Sequence, residues 1–277
     1  MLNCLLTMNA TPREDANDSC TLPSYGNPPL IEVACGVVFR RLDKMKIPHY
    51  GRLWERLRDN YPTCEHAPPI EVSPDAVDPT TGLPLPRIWL VGKTGNDLIQ
   101  IQNDRILYNW RKTRSADLYP RFQSVIENFK TSLTTFIDFL MENDLGSFAP
   151  LNCELTYVNH LVKGEGWRSP AEIPNLFPDL QWRSGRRFLP EPSSLAWTAV
   201  FPMEEDFGTL SVKLNQGTRK TDALPVLVLQ LTANGLGADR SVAAIWKWFE
   251  GAHRWIVCGF ADLTSTTAQS EIWKRED

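Results

Sequence analysis

Eight segments of the chain carry alternating or short continuous apolar runs, which are typical of β-strands. The clearest follows Pro28-Pro29, where every second residue from Ile31 to Phe39 is apolar. The predicted strands are residues 31–39, 87–91, 97–102, 105–111, 151–160, 195–201, 209–214 and 225–233. Because tight turns such as GKTGN separate several of them, we expect antiparallel pairing.

Three other segments repeat apolar residues at helical spacing. The first begins near Pro48 and ends before Pro62, since proline disrupts a helix interior. The second keeps one apolar face from Phe122 to Leu140. The third begins after Ser241, a favourable N-cap residue, and carries an apolar stripe to Leu263.

These elements follow one another as β-α-βββ-α and then β-loop-βββ-α, which predicts an α+β fold. We expect antiparallel sheet covered on one face by the long amphipathic helices. Residues 25–277 are predicted to form a single domain, with pseudo-duplicated halves at 25–148 and 149–277. The sequence predicts a flexible N-terminal tail at residues 1–24. It predicts irregular connections at residues 62–86 and 163–194, which are rich in proline and glycine.

The composition excludes several classes of protein. Hydrophobic residues make up 42% of the chain, which is typical of a globular protein, and the net charge of −4 argues against general attraction to nucleic acid or anionic lipid. Six cysteines lack a CxxC pair or zinc-type spacing, so we expect no metal, no cofactor and a cytoplasmic location. No apolar run has the roughly 18–20 residues of a membrane span, so we expect no membrane contact.

The segment CELTYVNH concentrates polar residues in a predicted strand. Strand alternation predicts a core face with Leu151, Cys153, Leu155 and Tyr157, and a polar face with Asn152, Glu154, Thr156 and His160. Glu154 and His160 are then roughly 20 Å apart, too far for a catalytic pair. We expect a solvated face or the lining of a binding cleft, with Asn159 and His160 at the edge of a recognition surface.

Further residues suggest binding rather than catalysis. The strand around Trp110, Arg111 and Arg114 combines cationic and aromatic side chains, which suits anions, nucleotides or acidic partners, although exposed strand ends are the simpler interpretation. His253 lies on the apolar stripe of the last helix, so we expect a core histidine with a hydrogen-bond partner; a general base is the alternative. No phosphate-binding loop or nucleophile motif is present.

The irregular segment 163–194 holds the second group of such side chains. They are Trp167, Trp182, Arg183 and Arg187. Because aromatic residues in loops often mark binding surfaces, we expect both tryptophans to be exposed there and to contact a partner.

Several short motifs occur together in order: NPPLIEVACGVVF, LWERLRDNYP, LIQIQNDRILYNWRK, YPRF, CELTYVNH and AHRWIVCGFADLT. Together they resemble a sporadically distributed family of bacterial and archaeal proteins with no assigned activity. The resemblance covers roughly residues 27–275 and implies a cytoplasmic protein, with no catalytic residue or cofactor to transfer. Its patchy distribution implies mobile genes, such as toxin–antitoxin or phage-defence genes.

The sequence thus predicts a non-enzymatic protein that recognises a protein partner or a small ligand, through residues 163–194 and the adjacent strand ends. A small anionic ligand and a homo-oligomer are both compatible with this prediction. The alternative is an enzyme acting on a nucleotide or nucleic acid through the arginine and tryptophan clusters.

Overall fold

A computed structural model describes residues 21–70, 77, 82, 86–182, 186–204 and 206–277 of the 277-residue chain. The strands are β1 (Leu30–Phe39), β2 (Thr63–Ala67), β3 (Arg87–Val91), β4 (Asp97–Gln102), β5 (Arg105–Arg111), β6 (Pro150–Val162), β7 (Ala196–Pro202), β8 (Thr209–Thr218) and β9 (Pro225–Gly235). The α-helices are α1 (Ile47–Leu57), α2 (Arg121–Glu142) and α3 (Val242–Leu263). A 3-10 helix (Pro170–Asn175) and a π-helical turn (Ala268–Ile272) complete the described elements.

All nine strands belong to one antiparallel sheet in the order β2-β3-β4-β5-β1-β6-β9-β8-β7. This confirms the predicted α+β fold with an antiparallel sheet. The eight predicted strands are all present, but the prediction for residues 62–86 was wrong in part, because β2 lies within them. As the outermost strand, β2 is mostly exposed and needs no apolar alternation, which is why its sequence TCEHA gave no strand pattern.

The helices α2 and α3 cover one face of the sheet. Alternate residues of β1, including Val33 and Val37, point to this face and are fully buried. Helix α2 packs against β5 and β1, and α3 packs against β9 and β6. The two helices also contact each other, with the rings of Phe129 and Phe249 5.5 Å apart. None of the described helices has both the length and the apolar character required to cross a bilayer.

The other face of the sheet is polar at its centre, and hydrogen bonds run across the strands. Gln100 on β4 donates to Asn109 on β5 at 2.8 Å, and Asn109 donates to Glu32 on β1. Beyond β1, the hydroxyls of Thr156 on β6 and Thr232 on β9 are 3.0 Å apart. The sheet therefore has an apolar face under the helices and an opposite face with its own side-chain network.

Residues 1–20 of the predicted flexible tail, which comprises residues 1–24, lie outside the described residues. Ser24 is described: its hydroxyl donates to the Glu276 carboxylate at 3.1 Å. The next residue, Tyr25, forms an antiparallel bridge with Arg275. The start of the described chain is thus paired with its last residues.

Helix α3 begins where its sequence predicts. The Ser241 hydroxyl accepts a hydrogen bond from the Ala244 amide at 3.1 Å and satisfies one of the free N–H groups of the first turn.

Replacing this cap tests its contribution. In Ser241→Ala the amide of Ala244 loses its acceptor, so we expect the free energy of unfolding to fall by about 1 kcal/mol, measured by urea denaturation. The matched control is Ser270→Ala, which removes an exposed hydroxyl that donates to the Thr266 carbonyl. Equal losses in the two variants would contradict a specific capping role.

Candidate functional site

A cavity with a volume of about 270 Å³ lies under α2 and α3, beside the segment that leads into β1. Its walls come from residues 22–30, the start of α2, strands β6 and β9, and helix α3. Most of this lining is apolar. Leu231 on β9 contributes from the sheet, while Ile256 and Phe260, one turn apart on α3, contribute from above.

Three side chains form a hydrogen-bonded chain in the wall of the cavity. The hydroxyls of Tyr119 and Tyr157 are 3.1 Å apart, and the Tyr157 hydroxyl is 2.9 Å from Nδ1 of His253. Tyr157 is on the helix-facing side of β6, and His253 comes from the apolar stripe of α3. Phe122 of α2 stacks on the His253 ring with centroids 4.0 Å apart, which fixes the orientation of the imidazole.

Burial keeps all three groups uncharged. Desolvation lowers the pKa of His253 to about 4. Desolvation also raises the pKa of Tyr119 and of Tyr157 above the ordinary value for tyrosine. At neutral pH the cavity therefore presents a neutral imidazole and two phenols.

Two polar side-chain atoms of the lining residues make no hydrogen bond within the described part of the chain. The His253 ring makes its hydrogen bond through Nδ1, and within the described part of the chain Nε2 makes none. Asn159, also in the cavity lining, donates from Nδ2 to the Leu229 carbonyl at 3.2 Å. Its Oδ1 accepts no hydrogen bond from the described residues. Because both residues line the cavity, these two atoms are the candidates for hydrogen bonds to a bound molecule.

Arg121 lines the cavity and contacts both the segment before β1 and the segment after the π-helical turn. Its guanidinium donates to the Tyr25 carbonyl at 3.1 Å and lies 3.6 Å from the Glu276 carboxylate. The backbone of Arg121 has a φ of 70°, a left-handed conformation that costs free energy for a residue with a side chain. Such strain often occurs at functional sites, and here it lies at the cavity.

The lining defines what the cavity can do chemically. Among its described residues are no aspartate, glutamate, cysteine or lysine. The described part of the chain also contains no group of three or more His, Cys, Asp or Glu side chains able to hold a metal ion. With a pKa near 4, His253 is a weak base at neutral pH. The arrangement favours binding over proton transfer.

Strand β6 divides its predicted site residues between the two faces. Asn159 lines the cavity, whereas His160 lies on the opposite face, where its buried Nδ1 has no hydrogen-bond partner. Burial lowers the pKa of His160, and the nearby Arg219 adds to this effect.

The predicted core face of β6 is confirmed for Cys153, Leu155 and Tyr157. The prediction is wrong for Leu151, which is 52% exposed, because an irregular pairing between β1 and β6 occurs beside it.

The predicted site residues at the end of β5 also lie on different faces of the sheet. Trp110 is buried, and its ring packs 5.3 Å from that of Tyr119, so it supports the cavity wall. Arg111 is on the other face, 5.8 Å from the Trp89 ring, and Arg114 is paired with Asp117 at 2.9 Å.

The predicted exposure of Trp167 was wrong. Its side chain is only 3% exposed, and Nε1 donates to the Leu161 carbonyl at 3.1 Å, so it belongs to the core beneath an irregular segment. Trp182 is exposed, as expected, with Arg187 5.7 Å from its ring. Arg183 lies outside the described residues. Among the described residues, no hydrogen bond, ion pair or ring contact joins Trp182 and Arg187 to the end of β5.

Tyr119 and Arg121 were not predicted as site residues. Both lie in the YPRF motif (residues 119–122), which leads into α2. The predicted hydrogen-bond partner of His253 is confirmed and is Tyr157.

Comparison with known proteins adds no assignment to this geometry. No protein-family model matches the chain, and no curated protein matches it.

The buried imidazole predicts a pH dependence of stability. His253 has a folded-state pKa of about 4 and an ordinary pKa near 6.5 when unfolded, so between these values the unfolded chain binds the additional proton. The stabilising effect is complete above about pH 6.5 and is lost as the pH falls to 4. We expect a loss of up to about 3 kcal/mol from this residue, measured by urea denaturation between pH 7.5 and 4.

The matched control is His253→Gln, which cannot titrate. The difference in unfolding free energy between the wild type and this variant should change over this range of pH, because carboxylates contribute equally to both. A difference independent of pH would show that the imidazole is not buried in its neutral form.

Proposed function

We propose that this protein binds a small ligand non-covalently in the cavity between the sheet and helices α2 and α3. The observation that carries the proposal is the cavity itself, in which an apolar lining surrounds one polar end built from Tyr119, Tyr157 and His253. Ligand sites in proteins commonly combine an apolar enclosure with a few fixed polar groups.

The electrostatics of the cavity support binding without chemical conversion. A general base at neutral pH requires a pKa near 7, and the imidazole of His253 has a pKa of about 4. The two tyrosines hold their protons more tightly than ordinary phenols. None of these groups is therefore prepared to accept a proton from a substrate.

We further propose that the ligand is bound in a reducing compartment such as the cytoplasm. The free thiol of Cys64, which is exposed on β2, supports this location, because such a thiol is most stable against oxidation there.

A neutral fluorescent probe tests the proposed site. We expect 1-aminoanthracene to bind saturably to the full chain, with fluorescence rising as the probe leaves water. In Val257→Trp the indole fills the cavity, so affinity should fall about 10-fold or more, a loss of about 1.4 kcal/mol. Val242→Trp makes the same substitution on α3 at an exposed position outside the cavity and should bind as the wild type does.

Circular dichroism establishes that both variants fold. The proposal is wrong if the wild type shows no saturable binding, or if the two folded tryptophan variants bind the probe equally.

A second candidate function is recognition of a protein partner by the segment that precedes β7. Phe188 is 99% exposed and Leu189 is 68% exposed. Trp182 lies in the same irregular connection, and its indole donates to the Pro170 carbonyl at 2.9 Å, which holds the ring in place. Exposed apolar side chains close together in sequence favour a contact surface.

A paired purification tests this second function. The double variant Phe188→Ser, Leu189→Ser removes the apolar surface, so we expect a protein that co-purifies with the wild type to be reduced at least about 10-fold, measured by quantitative mass spectrometry. Met141→Ser is the control, since it makes the same kind of change at an exposed site on α2. An identical set of co-purifying proteins in all three samples would exclude this surface.

A further inference from the structure

The polar end of the cavity also constrains the ligand's charge, an inference that rests on the proposed binding function. Arg121 is the only charged side chain among the described residues of the lining, taking His253 as neutral. Its guanidinium already contacts the Glu276 carboxylate at 3.6 Å, the Tyr25 carbonyl at 3.1 Å and the Ser24 hydroxyl at 3.3 Å. The cation is thus compensated by the chain itself.

A charged ligand would consequently find no unpaired counter-charge among the described lining residues of the cavity. A carboxylate would meet two phenols, a neutral imidazole and a guanidinium that Glu276 already pairs with, and an ammonium group would meet no acidic side chain among the described lining residues. Removing either ion from water without a partner costs several kcal/mol. An uncharged head group avoids this cost as long as its hydrogen bonds are satisfied.

The free atoms of the site indicate which hydrogen bonds it offers. Because Nδ2 of Asn159 donates to the Leu229 carbonyl, Oδ1 is oriented as the acceptor. Nε2 of His253 donates when Nδ1 accepts from the Tyr157 hydroxyl, and accepts in the other tautomer. The site therefore supplies one fixed acceptor and one group that can donate.

We propose that the cavity binds an uncharged amphipathic molecule whose head group carries both a donor and an acceptor, as a primary amide does. Its N–H donates to Oδ1 of Asn159 and its carbonyl accepts from Nε2 of His253. The apolar body contacts Leu231, Ile256 and Phe260 in the lining. Asn159 and His253 thereby determine specificity for the head group, while the apolar wall supplies most of the contact area.

Three probes of equal chain length test this proposal: octanamide, octanoate and octylammonium. Titration calorimetry on the full chain at pH 7.5 should give octanamide an affinity at least about 10-fold above either ion. In His253→Phe the hydrogen-bonding nitrogens are lost and the aromatic ring is retained. We expect the affinity for octanamide to fall at least about 10-fold in this variant, because the amide carbonyl loses its donor.

Asn159→Leu is a second variant that removes the fixed acceptor with little change in volume. We expect the preference for octanamide over octanoate to fall to within about 3-fold in it, because only the amide donates to Oδ1. The proposal is overturned if octanoate or octylammonium binds the wild type as tightly as octanamide, if His253→Phe binds octanamide as the wild type does, or if the preference is unchanged in Asn159→Leu. Binding of 1-aminoanthracene distinguishes a failure of the head-group assignment from a failure of the proposed function. If the wild type binds that probe without preferring the amide, the head-group assignment alone is wrong; if it does not bind the probe, the proposed function is wrong as well.

Discussion

The antiparallel pairing of β1 with β6 is the constraint on which the rest of the structure depends. It joins the strands of the first half of the sheet to those of the second, from Leu30 opposite Asn159 to Phe39 opposite Pro150. Val33 lies between Trp110 on one side and Tyr157 on the other. Because side chains alternate between the faces, a slip of one residue would move Tyr157 and Asn159 to the polar face and remove the polar end of the cavity.

The cavity places polar groups in a layer that is otherwise apolar. Tyr119, Tyr157 and His253 satisfy one another, which limits the cost of burying them. Leucine or phenylalanine at these positions would pack without any such requirement, so stability alone does not account for the polar side chains. Stacking by Phe122 holds the His253 ring in one orientation, and such preorganisation would reduce the entropic cost of binding a ligand as proposed.

The sequence predicted strands β3, β4 and β5 well, because local signals were sufficient there. The bounds of β3, β4 and β5 match the predicted runs, since sharp turns interrupt alternating apolar residues. Strand β2 was missed because an exposed edge strand needs no apolar alternation, and the burial of Trp167 was missed because its irregular segment has no periodic pattern that would indicate a buried side. The same is true of the candidate site: Tyr119 and Tyr157 are 38 residues apart, and Tyr157 and His253 are 96 apart. Strand alternation predicted the side of Tyr157, and helical spacing that of His253, but neither indicated that the two meet.

The central position of β1 has a consequence for synthesis on the ribosome. This strand is made early, yet one of its two neighbours, β6, begins about 120 residues after it, so its edge stays open while the intervening chain emerges. The strands β2 to β5 can assemble on β1 in the meantime, because their contacts are closer in sequence. The wall supplied by α3 and the bridge between Tyr25 and Arg275 form later than these strands. A ligand held in the cavity would thus stabilise the fold only after α3 has been made, and would give no help to a shorter nascent chain.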